Sequence, residues 1–220
     1  MDIRVDEFED DSIVLHFGGV AGSIDAYTLA EALIGFADMA SAISATIDPG
    51  SEIDIIVEAT GPGSFRTRIR RIKKDYGGLL RVAEMVFWGI VVNYVYDAAK
   101  NEPPPQIIVN TDGTITKVGK HTIIVSHSIQ AATDNVKKNP AVQRGLSKTF
   151  AALDADENVK DFGITKSITD PEPLFSIPRA EFPKIAQFPA ISTPQRYCLS
   201  IPEYGSSSEQ RICVSCACDR

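Results

Sequence analysis

Eight consecutive residues, Met85 to Val92 (MVFWGIVV), carry no polar side chain. A helix made from such a run has no polar face, so it must be covered on every side. The run lies within residues 77–99, the most hydrophobic part of the chain, with Arg81, Glu84, Asn93 and Asp97 around it. A bilayer core asks for about 20 apolar residues. Even Leu79 to Tyr96 contains Arg81, Glu84 and Asn93, and each charge is costly in hydrocarbon. The segment therefore reads as a buried or interface-forming helix rather than a membrane span, although β-branched Val91, Val92 and Val95 leave a strand open for part of it. Met85, Phe87, Trp88, Val91 and Val92 are the candidate contact with a second copy or another protein, if the chain's own fold does not cover them.

The residues before this run alternate between recognisable elements. SIVLHFG at 12–18 is rich in β-formers and reads as a strand. GGVAGS follows as a flexible turn, and Ser23 suits the cap of a helix from about Ile24 to Ile47. Leu29, Leu33, Phe36, Ala40, Ile43 and Ile47 form one apolar stripe on it, and Asp48-Pro49-Gly50 ends it. SEIDIIVEA and SFRTRIRRI both alternate around Thr60-Gly61-Pro62-Gly63, which predicts a hairpin of 52–59 and 64–72. Pairing Glu58 with Arg66, Asp54 with Arg70 and Val57 with Thr67 sets carboxylates beside guanidiniums on one face.

Asn101-Glu102-Pro103-Pro104-Pro105 is a stiff spacer. QIIVN, TITKV and HTIIVS then read as a three-stranded meander with turns at Thr111-Asp112-Gly113 and Gly119-Lys120. Two helices follow, one with Ile129, Ala132 and Val136 on a stripe. The other is capped by Asn139-Pro140 and buries Val142, Leu146 and Phe150. VKDFGIT at 159–165 is a candidate last strand. From Asp170 onward seven prolines interrupt every candidate element. The expected fold class is α+β: an N-terminal β-α-β-β unit with a long hydrophobic helix, then a small β-meander plus two helices, then a proline-rich irregular tail. The expected domains are 1–100, 106–168 and an extended or disordered 169–220. The last residues differ in composition from the rest, which fits either a disordered tail or a chain whose original C-terminal part is missing.

With 22 Lys and Arg against 29 Asp and Glu, a net charge of -7 argues against duplex nucleic acid as partner. The acidic start MDIRVDEFEDD is unlike a secretory signal, so a cytoplasmic location is expected. Cys198, Cys213, Cys216 and Cys218 are a weak thiolate cluster without a second CxxC pair, better read as a reduced tail than a zinc site. No cofactor is implied. The turn GGVAGS lacks the spacing and the Lys of a phosphate loop, and no G-x-S-x-G elbow occurs. His16, His121 and His127 show no metal-ligand spacing, and the acidic run Asp6, Glu7, Glu9, Asp10, Asp11 reads as a solvated face. Arg66, Arg68 and Arg70 could hold an anion through their guanidinium forks, or could be neutralised by the acids of the neighbouring strand.

The run YTLAEALIGFADMASAI…PGSEIDIIVEATGPGSFRTRIRRIKK, followed by the hydrophobic segment and IIVNTDGTITKV, resembles a group of uncharacterised prokaryotic and prophage-type proteins over roughly residues 10–165. Gly63-Ser64-Phe65 is its most specific piece. The resemblance implies no activity and no catalytic residue, and such proteins look longer, with a further β-rich part. The expected function is that of a non-enzymatic interaction protein that self-associates through the hydrophobic helix. The alternative is a binding module for a small anion or nucleotide, by analogy in phage–host conflict; membrane association is a third reading.

Overall fold

A computed structural model describes residues 2–4, 12–19, 24–50, 52–61, 65–74, 84–99, 106–118, 122–167, 169–170, 172–187, 198–199 and 212–213. The fold is α+β, as the sequence suggests. In chain order the elements are β1 (Asp2–Arg4), β2 (Ser12–Gly19), α1 (Ala26–Ile47), β3 (Glu52–Gly61), β4 (Phe65–Lys74), α2 (Glu84–Ala99), β5 (Gln106–Val109), β6 (Thr114–Val118), β7 (Thr122–Ser126), α3 (His127–Val136), α4 (Pro140–Ala155), β8 (Val159–Thr165), β9 (Phe175–Pro178), α5 (Phe182–Ala186), β10 (Cys198–Leu199) and β11 (Ile212–Cys213). Residues 1–188 form one compact unit. Within 189–220, β10 and β11 pair antiparallel, with Cys198 opposite Cys213.

The larger sheet has the order β3-β4-β2-β8-β9 and is antiparallel throughout. The smaller has the order β1-β7-β6-β5, in which β1 runs parallel to β7. The proline spacer is therefore no boundary between units. Strand β8, which follows it by more than fifty residues, pairs with β2 in the N-terminal sheet. Nor is 169–187 an extended tail. Strand β9 completes the larger sheet, and Phe175, Ile177, Phe182 and Ile185 are buried. Pro178 ends β9 and Pro183 sits in the first turn of α5, positions where a missing N–H costs nothing.

Helix α2 is the hub of the unit. Every residue from Phe87 to Tyr96 is buried, and Phe87, Trp88, Val91 and Val92 are fully enclosed by the chain itself. Phe87 lies 4.3 Å beneath the Arg71 guanidinium of β4 and stacks edge-on against Trp88. Tyr96 meets Phe175 of β9 edge-on at 5.5 Å. Asn93 and Asp97 reach β6 and α3. One helix thus touches both sheets. Its sixteen residues span about 24 Å, short of the roughly 30 Å hydrocarbon core. Among the described residues, the helix long and apolar enough to cross a membrane is instead α1, and its buried side is spent on α4.

Helices α1 and α4 run antiparallel in close contact. Thr28, Ala32, Gly35, Phe36, Met39, Ala40, Ile43 and Ser44 are the buried side of α1. Of the expected stripe, Phe36, Ala40 and Ile43 are on that side, while Leu29, Leu33 and Ile47 fall on the flank, where each is half-buried. The reason is backbone proximity. A Cβ on Gly145 would stand 2.5 Å from the Met39 nitrogen, and one on Gly35 would stand 2.7 Å from the Thr149 nitrogen. Small residues let the axes approach, so the larger Leu side chains fall outside the seam. Both ends are tied: the Asp25 amide donates to Asp156 at 2.9 Å, and the Asn139 amide donates to Thr46 at 2.8 Å. Asp25, rather than Ser23, caps α1.

The hairpin exists, but its register is two residues from the expected one. Val57 faces Ile69, Ile56 faces Arg70, and Asp54 faces Ile72, with an irregularity between Val57 and Thr60. The strands continue to Gly61, and β3 takes up one extra residue as a bulge. A shift of two keeps every side chain on its expected face while changing its partner. Glu58, expected beside Arg66, pairs with Arg70 Nε at 3.0 Å.

Candidate functional site

Three features of the unit could carry function: the outer face of the larger sheet, a buried polar cluster at the end of α2, and the free edge of the smaller sheet.

On the larger sheet, alternation sends Thr67, Ile69 and Arg71 inward, where they are 1%, 1% and 6% exposed. Arg66, Arg68 and Arg70 share the opposite face with Ser12, Val14 and His16 of β2, which stand directly across from Arg70, Arg68 and Arg66. The fold uses two of the three guanidiniums. Arg70 pairs with Glu58, and Arg66 Nη1 donates to the Asp170 carbonyl at 2.6 Å. Between them Arg68 is half-buried; its Nε is sealed from solvent with no hydrogen-bond partner. No ion pair among the described residues reaches it. Further along, Ser176 donates to Asp161 at 3.2 Å, and His16 Nδ1 lies 3.8 Å from the same carboxylate. Burial lowers the pKa of His16 and Arg66 adds to that, while Asp161 opposes both. Ser176 and His16 both approach Asp161, so the three do not form a serine nucleophile relay, in which the imidazole must stand between the other two.

The second feature was not singled out in the sequence. Lys117 is 2% exposed, on the inward face of β6. Its ammonium donates to Asn93 Oδ1 at 2.8 Å and to both Asp97 oxygens at 2.7 and 2.9 Å. Lys137 joins Asp97 at 2.7 Å and Asp134 at 3.2 Å. Asn93 donates to Thr133 at 2.9 Å and to Gln130 at 3.3 Å. Desolvation lowers the pKa of Lys117, and Asp97 opposes the shift. Burial also works against the charge of Lys137, but its bonds to Asp97 and Asp134 outweigh it and raise the pKa. With all three of its donors engaged, Lys117 is a clamp between α2 and β6 rather than a nucleophile. Two signals in the sequence mark it: Asn93 and Asp97 are one helical turn apart on an apolar helix, and Lys117 falls on the Ile115 side of an alternating strand.

The third feature is β5. Among the described residues it pairs with β6 alone, and Ile107, Ile108 and Val109 are 57%, 43% and 70% exposed. Opposite Lys117 and Ile115 in register, Ile107 and Val109 continue the inward face of the sheet. The helices bury that face on β6 and β7 but leave it open at β5.

The side chains of the expected interface residues Phe87, Trp88, Val91 and Val92 all lie inside the chain, so none offers a surface to a partner. Met85 is in α2, with its side chain outside the described residues. Cys216, Cys218, His121 and the stretches GGVAGS beyond Gly19 and Pro62–Ser64 also lie outside them. Among the described residues, no group of three His, Cys, Asp or Glu could hold a metal ion. No protein-family model matches the chain, and neither a curated protein nor a solved structure is significantly similar to it. Roles for these residues therefore rest on geometry.

Two outcomes follow. Removing one partner of a buried ion pair leaves the other uncompensated, at about 3–5 kcal/mol. Asp97→Leu is expected to fall in that range by urea denaturation, and the double variant Asp97→Leu/Lys117→Met to be more stable than Asp97→Leu alone; additive losses would contradict the clamp. The lowered pKa of His16 means that the unfolded chain binds more protons just below the ordinary value of 6.5. Stability contributed by neutral His16 is thus present above that value and is lost as the pH falls toward the folded-state pKa. His16→Gln is expected to flatten the stability profile between about pH 7 and 5, by at most about 1.4 kcal/mol per pH unit.

Proposed function

We propose that the chain is a non-enzymatic interaction protein that self-associates through the free edge of its smaller sheet. The supporting observation is the exposure of Ile107, Ile108 and Val109 on an edge strand whose inward face is covered by no helix among the described residues. An unprotected edge presents a row of backbone donors and acceptors to another strand, and proteins usually blunt it with charge or proline. Strand β3, one edge of the larger sheet, is blunted in that way by Glu52, Asp54 and Glu58. Strand β5, of sequence QIIV, holds neither charge nor proline.

A second copy is the occupant that this strand fits best. Antiparallel pairing about a two-fold axis at Ile108 sets Ile108 against its own copy and Ile107 against Val109. That register keeps the inward faces of both sheets on one side, opposes no like charges and joins two four-stranded sheets into one. The role first expected of α2 passes to β5, because α2 is occupied within its own chain.

Size-exclusion chromatography with light scattering tests the reading. The parent is expected to show a concentration-dependent dimer at tens of micromolar, and Ile108→Lys, which places two ammonium groups face to face, to be monomeric with an unchanged circular dichroism spectrum. A parent that stays monomeric, or an Ile108→Lys variant that dimerises like the parent, would overturn it.

A further inference from the structure

The guanidinium of Arg68 is the anomaly on the outer face of the larger sheet. A cation normally finds a carboxylate, a carbonyl or water for each of its donors. The Nε atoms of Arg66 and Arg68 are both sealed without a hydrogen bond, but Arg70 is held by Glu58 and Arg66 by the Asp170 carbonyl through Nη1, while among the described residues no ion pair or hydrogen bond reaches any part of the Arg68 guanidinium. Leaving a buried donor unsatisfied is destabilising, more so when the group is charged. Like charges on its own strand add to that cost: residues two apart on a strand lie about 6.7 Å from one another. Across the ladder stands Val14, which is completely buried, and beside it Ser12, 4% exposed. The floor under the guanidinium is therefore dry, and a charge arriving there is poorly screened.

We propose that Arg68 is the centre of a binding site for the phosphate group of a small molecule, with Arg66 and Arg70 as flanking positive charges. With Nε sealed, the two Nη groups of Arg68 are the edge that can meet two oxygens of one oxyanion at once. A phosphate dianion suits the site better than a carboxylate, since its second charge offsets the repulsion along the strand. Glu58 and the Asp170 carbonyl hold Arg70 and Arg66 in place, so the site is set before the ligand arrives. No covalent step is involved, and the proposal is independent of the β5 edge.

Thermal unfolding of the full chain at constant ionic strength, with inorganic phosphate, AMP or ATP replacing chloride, tests this. A tenfold excess over half-saturation is expected to raise Tm by about 3–5 °C. Arg68→Gln should lose most of that rise, while Lys148→Gln, on the exposed side of α4, should keep it. Equal effects of phosphate and AMP would show that the phosphate alone is read, and a tighter AMP would place a nucleoside beside it. No stabilisation by any of the three, or an equal rise in Arg68→Gln, would overturn the proposal. Nitrogen-15 spectra of the parent give a reading that does not depend on the variant: the Arg68 Nε–H resonance is expected to shift and saturate on phosphate titration, and an unmoved resonance would also overturn it.

Discussion

The enclosure of α2 by both sheets is the constraint on which the rest of the unit depends. A helix without a polar face has no favourable place in water. Phe87 beneath Arg71, Tyr96 against Phe175, and Asn93 and Asp97 against Lys117 fix that helix to β4, β9 and β6 in turn. The apolar contacts supply most of the drive, and the ion pair adds direction. A lysine so deeply buried is tolerable only beside its carboxylate, so β6 cannot slide along α2 without stranding a charge.

A second constraint, the close pairing of α1 and α4, positions the larger sheet. Phe150 of α4 meets Phe162 of β8 at 5.4 Å and Phe182 of α5 at the same distance, while Phe162 meets Phe17 of β2 at 5.7 Å. This chain of rings carries the packing from the helices to the centre of the sheet. Arg179 binds the Leu153, Asp154 and Asp156 carbonyls at the end of α4, supplying the acceptors left open there with donors. The outer face of the sheet is left with its guanidiniums, and the edge of the smaller sheet with its apolar strand. Those are the two places, among the described residues, on which the proposed interactions rest.

Much of this was legible from residue order. The Asn139-Pro140 start of α4, the meander and the two alternating hairpin strands all use local signals: a cap, tight turns and a period of two. The faces of the hairpin were legible for the same reason, while the partners were not, because the pairing up to Val57 is two residues from the register expected of the turn, and a shift of two leaves the alternation unchanged. The seam of α1 was hidden for a different cause: glycine, alanine and threonine make close approach possible but carry little hydrophobic signal. Strand β8 beside β2 was hidden because pairing between residues some 150 positions apart leaves no local trace. Prolines suggested an irregular end after Asp170, whereas Pro178 and Pro183 occupy positions that tolerate them. The arginines of β4 were visible as candidates, but which one lacks a partner depends on the register.

Trp88 is the chain's one tryptophan and is wholly enclosed. Its fluorescence therefore reports the cover over α2 without a label. Acrylamide and iodide quenching, measured across a dilution series from tens of micromolar to nanomolar, gives the most direct test. If the chain itself encloses the helix, quenching stays low and independent of concentration. Quenching that rises on dilution, with secondary structure retained, would mean that a neighbouring molecule had been supplying the cover.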